Sequence, residues 1–151
     1  MAQREFSAEV TVKTTPERAF DHFADHRHVA AVLDGVTKWK PIGPKKEGVG
    51  ARYEVELVAL GFPLKSVLRL DRWRRPHEIG WVSEKGLIKQ EGGFTFTKAR
   101  GGGGVHIVLR IAYTPPGAIL GAAVAGQLDG VVRRRLQAAL ERIRDVLGAE
   151  A

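Results

Sequence analysis

The stretch after the paired prolines constrains this chain most. Thr114-Pro115-Pro116-Gly117 rules out an earlier helix, and from Ala118 to Leu147 no further proline interrupts the sequence. At 1.5 Å rise per residue, a helix over about thirty residues reaches roughly 45 Å, enough to cross a small domain. We expect it to span Pro116 to Leu147. Its halves differ in kind. Val132, Leu136, Ala139, Leu140, Ile143 and Leu147 recur at three- and four-residue spacing, with Arg133, Arg134, Arg142 and Arg144 elsewhere. That half requires a core. The first half, Gly117 to Gly130, is slim: Gly121, Ala122, Ala123, Ala125 and Gly126 leave room either for a ligand or for a closely packed strand.

A series of apolar or alternating runs precedes that helix. Phe6, Ala8, Val10 and Val12 alternate with Ser7, Glu9, Thr11 and Lys13, which is a half-buried strand. Thr15-Pro16-Glu17 then starts a helix with a hydroxyl cap, a first-turn proline and a carboxylate near the positive end. Ala19, Phe20 and Phe23 form its apolar face, and a break at Asp25-His26-Arg27-His28 leads to a second short helix over Val29 to Leu33, closed by Asp34-Gly35. From Val36 the chain reads as an antiparallel meander. Strands are expected at Val36 to Ile42, Ala51 to Leu60, Leu64 to Leu70, around Ile79 to Ser83, around Phe94 to Thr97, and from Val105 to Tyr113. Gly43 to Gly48, Gly61-Phe62-Pro63, Arg75-Pro76-His77 and Gly101 to Gly104 supply the turns. A sheet with one apolar face must cover it, and the final helix is the large element available. The fold class is therefore α+β: a curved antiparallel sheet of six to seven strands around a long C-terminal helix, with two short helices after strand one.

A length of 151 residues suits one domain, 1–151, able to bury a real core. There are no cysteines, which excludes disulfides and thiolate metal sites and fits a reducing compartment. Met1-Ala2-Gln3-Arg4-Glu5-Phe6 has no apolar signal core, and the nearly uncharged window Ile111 to Leu128 is too weakly hydrophobic for a membrane span. The expected location is cytoplasmic. A net charge of +7 raises the question of nucleic acid. Small clusters stand at Arg72-Trp73-Arg74-Arg75 and Arg133-Arg134-Arg135, but no recognition-helix or RNA-binding signature accompanies them, so a solvated basic surface is the simpler reading.

At this point the chain resembles the SRPBCC, or START-like, helix-grip superfamily, which includes START domains, pollen-allergen-like proteins and polyketide cyclase/dehydrases. Four pieces carry the likeness: residues 15–25 from Thr15-Pro16-Glu17 to Asp25, the turn Arg75-Pro76-His77-Glu78-Ile79-Gly80-Trp81, the strand Gly93-Phe94-Thr95-Phe96, and Tyr113 to Gly121 at the helix opening. Together, in this order, they are similar to the polyketide cyclase/dehydrase-like branch. The resemblance implies the helix-grip fold and an apolar cavity. It does not imply one reaction.

The residues expected on the concave face are Tyr53, Val55, Leu57, Ser66, Leu68, Leu70, Trp81, Ser83, Phe94, Phe96, Ile107, Leu109, Ile111 and Tyr113. From the helix, Leu120, Ala123, Val124, Gln127 and Leu128 join them. Apolar walls with a few hydroxyls and an amide suit a lipid-, quinone- or polyketide-like molecule. Catalysis needs an acid or base inside the pocket. By strand alternation Glu54, Glu56, Arg69, Glu84, His106 and Arg110 fall on the outer face, so no catalytic residue is assigned. The expected function is binding of a small hydrophobic molecule, with a cofactor-independent cyclase/dehydrase as the alternative and an RNA- or ribosome-associated factor as a third class.

His22 and His26 are four apart, a spacing that can hold a metal from one helix face. Phe20 and Phe23 occupy the buried face and the helix is expected to end near Asp25, so neither a metal nor a cofactor is expected. Gly101 to Gly104 lacks the Gly-Lys-Ser/Thr and the following helix of a phosphate loop, and reads as a hairpin tip. The ligand entrance is expected near the glycine-rich helix start, between Asp34-Gly35 and the turn at Gly61-Phe62-Pro63.

Overall fold

In a computed structural model the chain runs β1 (Arg4–Val12), α1 (Pro16–Ala24), α2 (His26–Val32), β2 (Val36–Ile42), β3 (Arg52–Ala59), β4 (Phe62–Arg74), β5 (Glu78–Gly86), β6 (Lys89–Lys98), β7 (Val105–Thr114) and α3 (Ala122–Glu150). The structure describes residues 3–86, 88–114 and 122–150, without the side chains of 122–125 and 149–150. The element order is the one read from the sequence. The long helix continues to Glu150, and its expected start at Pro116 lies outside the described residues.

The seven strands form one antiparallel sheet in the order β1-β7-β6-β5-β4-β3-β2. β1 pairs with β7 without interruption from Arg4↔Tyr113 to Val12↔Val105, so the chain's first and last strands lie side by side. The β3–β4 hairpin turns at Leu60-Gly61, both at positive φ (52° and 81°), directly beyond the pair Ala59↔Phe62. That geometry fits a tight two-residue hairpin. β4 is longer than its alternation suggests because the register shifts twice against β5, between Val67 and Leu68 and between Leu70 and Arg72. Such bulges bend a strand and sharpen its twist, and they help curve the sheet.

Local chemistry explains the short helices. Thr15 Oγ1 accepts from the Arg18 amide at 3.2 Å and Pro16 occupies the first turn of α1. Asp25 stops α1 and caps α2, its Oδ1 accepting from the Arg27 amide at 2.9 Å. The core then divides the trough of the sheet in two. Phe23 stacks on Phe94 with ring centroids 4.5 Å apart, and Phe20 meets Phe96 edge-on at 6.1 Å. Opposite them α3 buries Leu136, Ala139, Leu140, Ile143 and Leu147. One end of the trough is thus filled by aromatic and aliphatic side chains. The other end, beside the first half of α3, is not.

On the outer face the charges pair across strands. Lys38 meets Glu54 at 2.8 Å, Arg52 meets Glu84 at 2.6 Å, and Arg110 bridges Glu5 and Glu91 at 2.6 and 2.9 Å. Half-exposed pairs of this kind add little stability, but they fix these acids away from the interior.

Candidate ligand-binding site

The unfilled end of the trough is a cavity of about 130 Å³ open to water centres, lying between the sheet and the first half of α3. At ~30 Å³ per water in the liquid it has room for about four waters, beyond a packing defect. β2 contributes Val36 and Trp39, β3 contributes Val55, Leu57 and Ala59, and β4 contributes Leu64 to Ser66 and Leu68. Trp81, Ile88, Gln90, Ile111 and Tyr113 continue the wall. The helix supplies Leu128, Val131, Val132, Arg135 and Leu136, while Leu33 and Asp34 close the side next to α2.

The concave-face residues separate accordingly. Val55, Leu57, Ser66, Leu68, Trp81, Ile111, Tyr113 and Leu128 line the cavity. Tyr53, Leu70, Phe94, Phe96, Ile107 and Leu109 are buried on the same face but lie outside the cavity wall, because Phe20, Phe23 and the second half of α3 cover their end. Ser83 is half-buried and its Oγ accepts from the Gln90 amide at 2.9 Å instead of facing the cavity. Gln127 is exposed, since the turn of α3 that buries Leu128 carries its neighbour to the outside. Leu120 and the side chains of Ala123 and Val124 lie outside the described residues.

Several wall residues had no clear sequence signal. Trp39 stands edge-on to Trp81 at 5.7 Å and makes the two indoles one wall. That packing needs a glycine on the strand beside Trp81. A Cβ at Gly92 would come within 2.9 Å of Trp81 Cζ2 and 3.0 Å of Ile111 Cδ1. The alternation of β2 marks Trp39 only as half-buried, and a lone arginine on a basic helix gives no hint that Arg135 turns inward.

Polar groups at the wall are few and mostly engaged. The Tyr113 hydroxyl donates to Asp129, whose other oxygen lies 2.9 Å from Arg4 Nη1. Burial pushes the Tyr113 hydroxyl well up from the usual phenol range, with the Asp129 bond and charge adding to it. Deeper in the core, the Tyr53 hydroxyl donates to the Lys46 carbonyl, and burial pushes its pKa up to about 12. Gln90 Nε2 reaches Ser66 Oγ at 3.3 Å. Arg142 pairs with Asp34 at 2.5 Å. Arg135 donates to the Val58 carbonyl and lies over Gly35, where a Cβ would meet its guanidinium carbon at 2.5 Å. Desolvation lowers the Arg135 pKa, the nearby Asp34 opposing that shift.

The histidine spacing assembles nothing on one face. The break at Asp25 separates His22 from His26: His22 stacks on His28 at 4.0 Å, while His26 packs against Tyr53 at 5.5 Å. Among the described residues no three His, Cys, Asp or Glu side chains come together, and no helix is long and apolar enough to cross a membrane. At the expected entrance Asp34 borders the cavity, but Phe62 does not fold over it and is 69% exposed. Gly121, at the expected glycine-rich helix start, lies outside the described residues.

A family model described as polyketide cyclase / dehydrase and lipid transport matches residues 3–148. The chain belongs to that family. Solved structures share this family's fold at low identity. TTHA0849 from Thermus thermophilus is 19% identical, with 98% of this chain and 99% of that one covered and a TM-score of 0.80. The Zhui aromatase/cyclase from Streptomyces sp. R1128 is 16% identical over 94% of each chain, at a TM-score of 0.73. Ara h 8.0201 is 14% identical over 94% of this chain and 98% of that one, at 0.62. At these identities the likeness is one of fold, and it confirms the helix-grip architecture. No curated protein matches the sequence.

Proposed function

We propose that this protein binds a small hydrophobic molecule, lipid-, quinone- or polyketide-like, in the cavity between the sheet and α3. The observation that carries the reading is a cavity large enough for about four waters with walls that are mostly apolar. Water gains little there, whereas an apolar molecule gains about 25 cal/mol for each Å² it removes from solvent. Membership of a family described by both cyclisation and lipid transport supports hydrophobic cargo and leaves two classes of activity.

Binding without turnover is favoured over cyclisation or dehydration because the carboxylate and the phenol at the wall are already engaged. Tyr113 is held by Asp129 and Asp34 by Arg142. Native mass spectrometry of freshly purified protein tests the reading. A carrier releases an intact apolar compound on denaturation, or takes up a naphthalene-type probe with quenching of Trp39 and Trp81. Failure of both removes the binding reading. Conversion of a polyketide-like substrate by the purified protein would replace it with the cyclase/dehydrase.

A further inference from the structure

Two cavity-wall groups are unexplained by an apolar ligand alone. The first is the Trp39 indole N–H, which is buried without a hydrogen-bond partner. A buried donor left unmade is costly, and an acceptor from a bound molecule would relieve it. The second is Arg135. Its guanidinium is held in place by the Val58 carbonyl and by its seat on Gly35, yet among the described residues no carboxylate lies within ion-pair distance of it. The nearest acidic residue of the wall, Asp34, is neutralised by Arg142. The rim therefore carries a guanidinium with no ion-pair partner: Asp34 acts on it only from beyond ion-pair distance, and the exposed Lys65 is the other cation of the wall. Gly35 itself has φ +80°, and a side chain there would displace the arginine head.

Resting on the binding reading above, we infer that the ligand is an apolar molecule ending in a carboxylate, with the carboxylate at Arg135 and an oxygen acceptor within reach of Trp39 Nε1. Arginine suits this because its planar fork meets a carboxylate with two parallel hydrogen bonds. The fixed orientation of the guanidinium reduces the ordering that binding demands. The tail then extends along Trp81, Leu68 and Leu136, away from the rim.

The test compares head groups on a constant tail, read by tryptophan fluorescence. Decanoate, decanol and decylammonium form one series, and 2-naphthoate, 2-naphthol and naphthalene the other. The expected result at neutral pH is that each acid binds at least about tenfold tighter than its alcohol, ~1.4 kcal/mol, and decylammonium most weakly. In Arg135→Met the acid and alcohol should bind alike, whereas Arg135→Lys should keep part of the preference. Trp39→Phe should weaken 2-naphthol several-fold more than it weakens naphthalene, with Trp81 still reporting. Equal binding of acid and alcohol to the wild-type protein overturns the carboxylate inference while leaving the apolar cavity intact. An acid preference that survives in Arg135→Met overturns the assignment to this arginine. No binding by any member of either series overturns the cavity reading itself.

Discussion

Leu136 and Ile143 lie two turns apart on the buried face of α3, at 4% and 0% exposure. They differ in surroundings. Ile143 belongs to the packed core, whereas Leu136 also borders the cavity. Truncation to alanine removes three methylene-sized groups from either site, a transfer loss of about 2.4 kcal/mol at ~0.8 per group. At Ile143 a new void must form among close-packed neighbours, and the cavity term should bring the total to about 4 kcal/mol. At Leu136 the lost volume joins space that is already empty, so fewer contacts are forfeited and the total should stay near about 2.5 kcal/mol. Urea unfolding of Leu136→Ala and Ile143→Ala, with m unchanged between them, measures the difference directly. A Leu136→Ala cost equal to or above that of Ile143→Ala would show that α3 is as tightly packed beside the cavity as it is at Ile143. A loss below about 0.5 kcal/mol at both sites would mean that α3 presents another face to the sheet.

Leu57→Trp should abolish uptake of a hydrophobic probe in folded protein, because Leu57 is a half-buried wall residue and the added ring occupies the cavity; unaltered probe binding would place the ligand elsewhere. Tyr113→Phe removes a donor from the buried Asp129 and should cost about 1–3 kcal/mol in thermal or urea unfolding, while leaving the ring at the wall. The Arg27 hydrogen bonds hold the Asp25 carboxyl well below its usual range, so its stabilisation is present above the unfolded carboxylate pKa and is lost as pH falls from there through the lowered folded-state pKa. Asp25→Asn keeps a capping side chain but not the charge, and its unfolding midpoint should fall less steeply than the wild type's below about pH 4. Phe62→Ala should leave stability within about 0.5 kcal/mol and, if the hairpin tip borders the entry route, change probe association and dissociation rates together, measured by stopped-flow fluorescence.

Local pattern was enough for the elements. The alternation from Val105 to Tyr113 reappears as a strand whose odd residues up to Leu109 are buried, and Thr15-Pro16 and Asp25 act as the helix boundaries their chemistry suggests. The same is true of the Leu136-to-Leu147 stripe, because a 3.6-residue period facing one core leaves its mark on sequence directly. The site was legible only as a face. Alternation says that Val55 and Phe94 look inward, but not which inward residues meet a neighbour and which meet a void. That was decided by how far Phe20 and Phe23 reach across the sheet from another element. The polar groups of the wall escaped for a related reason. Trp39 is set by its edge contact with an indole on a strand that is not its neighbour in the sheet, and Arg135 by a glycine far off in sequence whose missing side chain gives the guanidinium its seat; the rotation of α3 likewise takes Gln127, expected on the wall, to the outside. Period and capping are properties of neighbours along the chain, whereas a cavity is made by what distant segments fail to fill, and that is settled only when they pack.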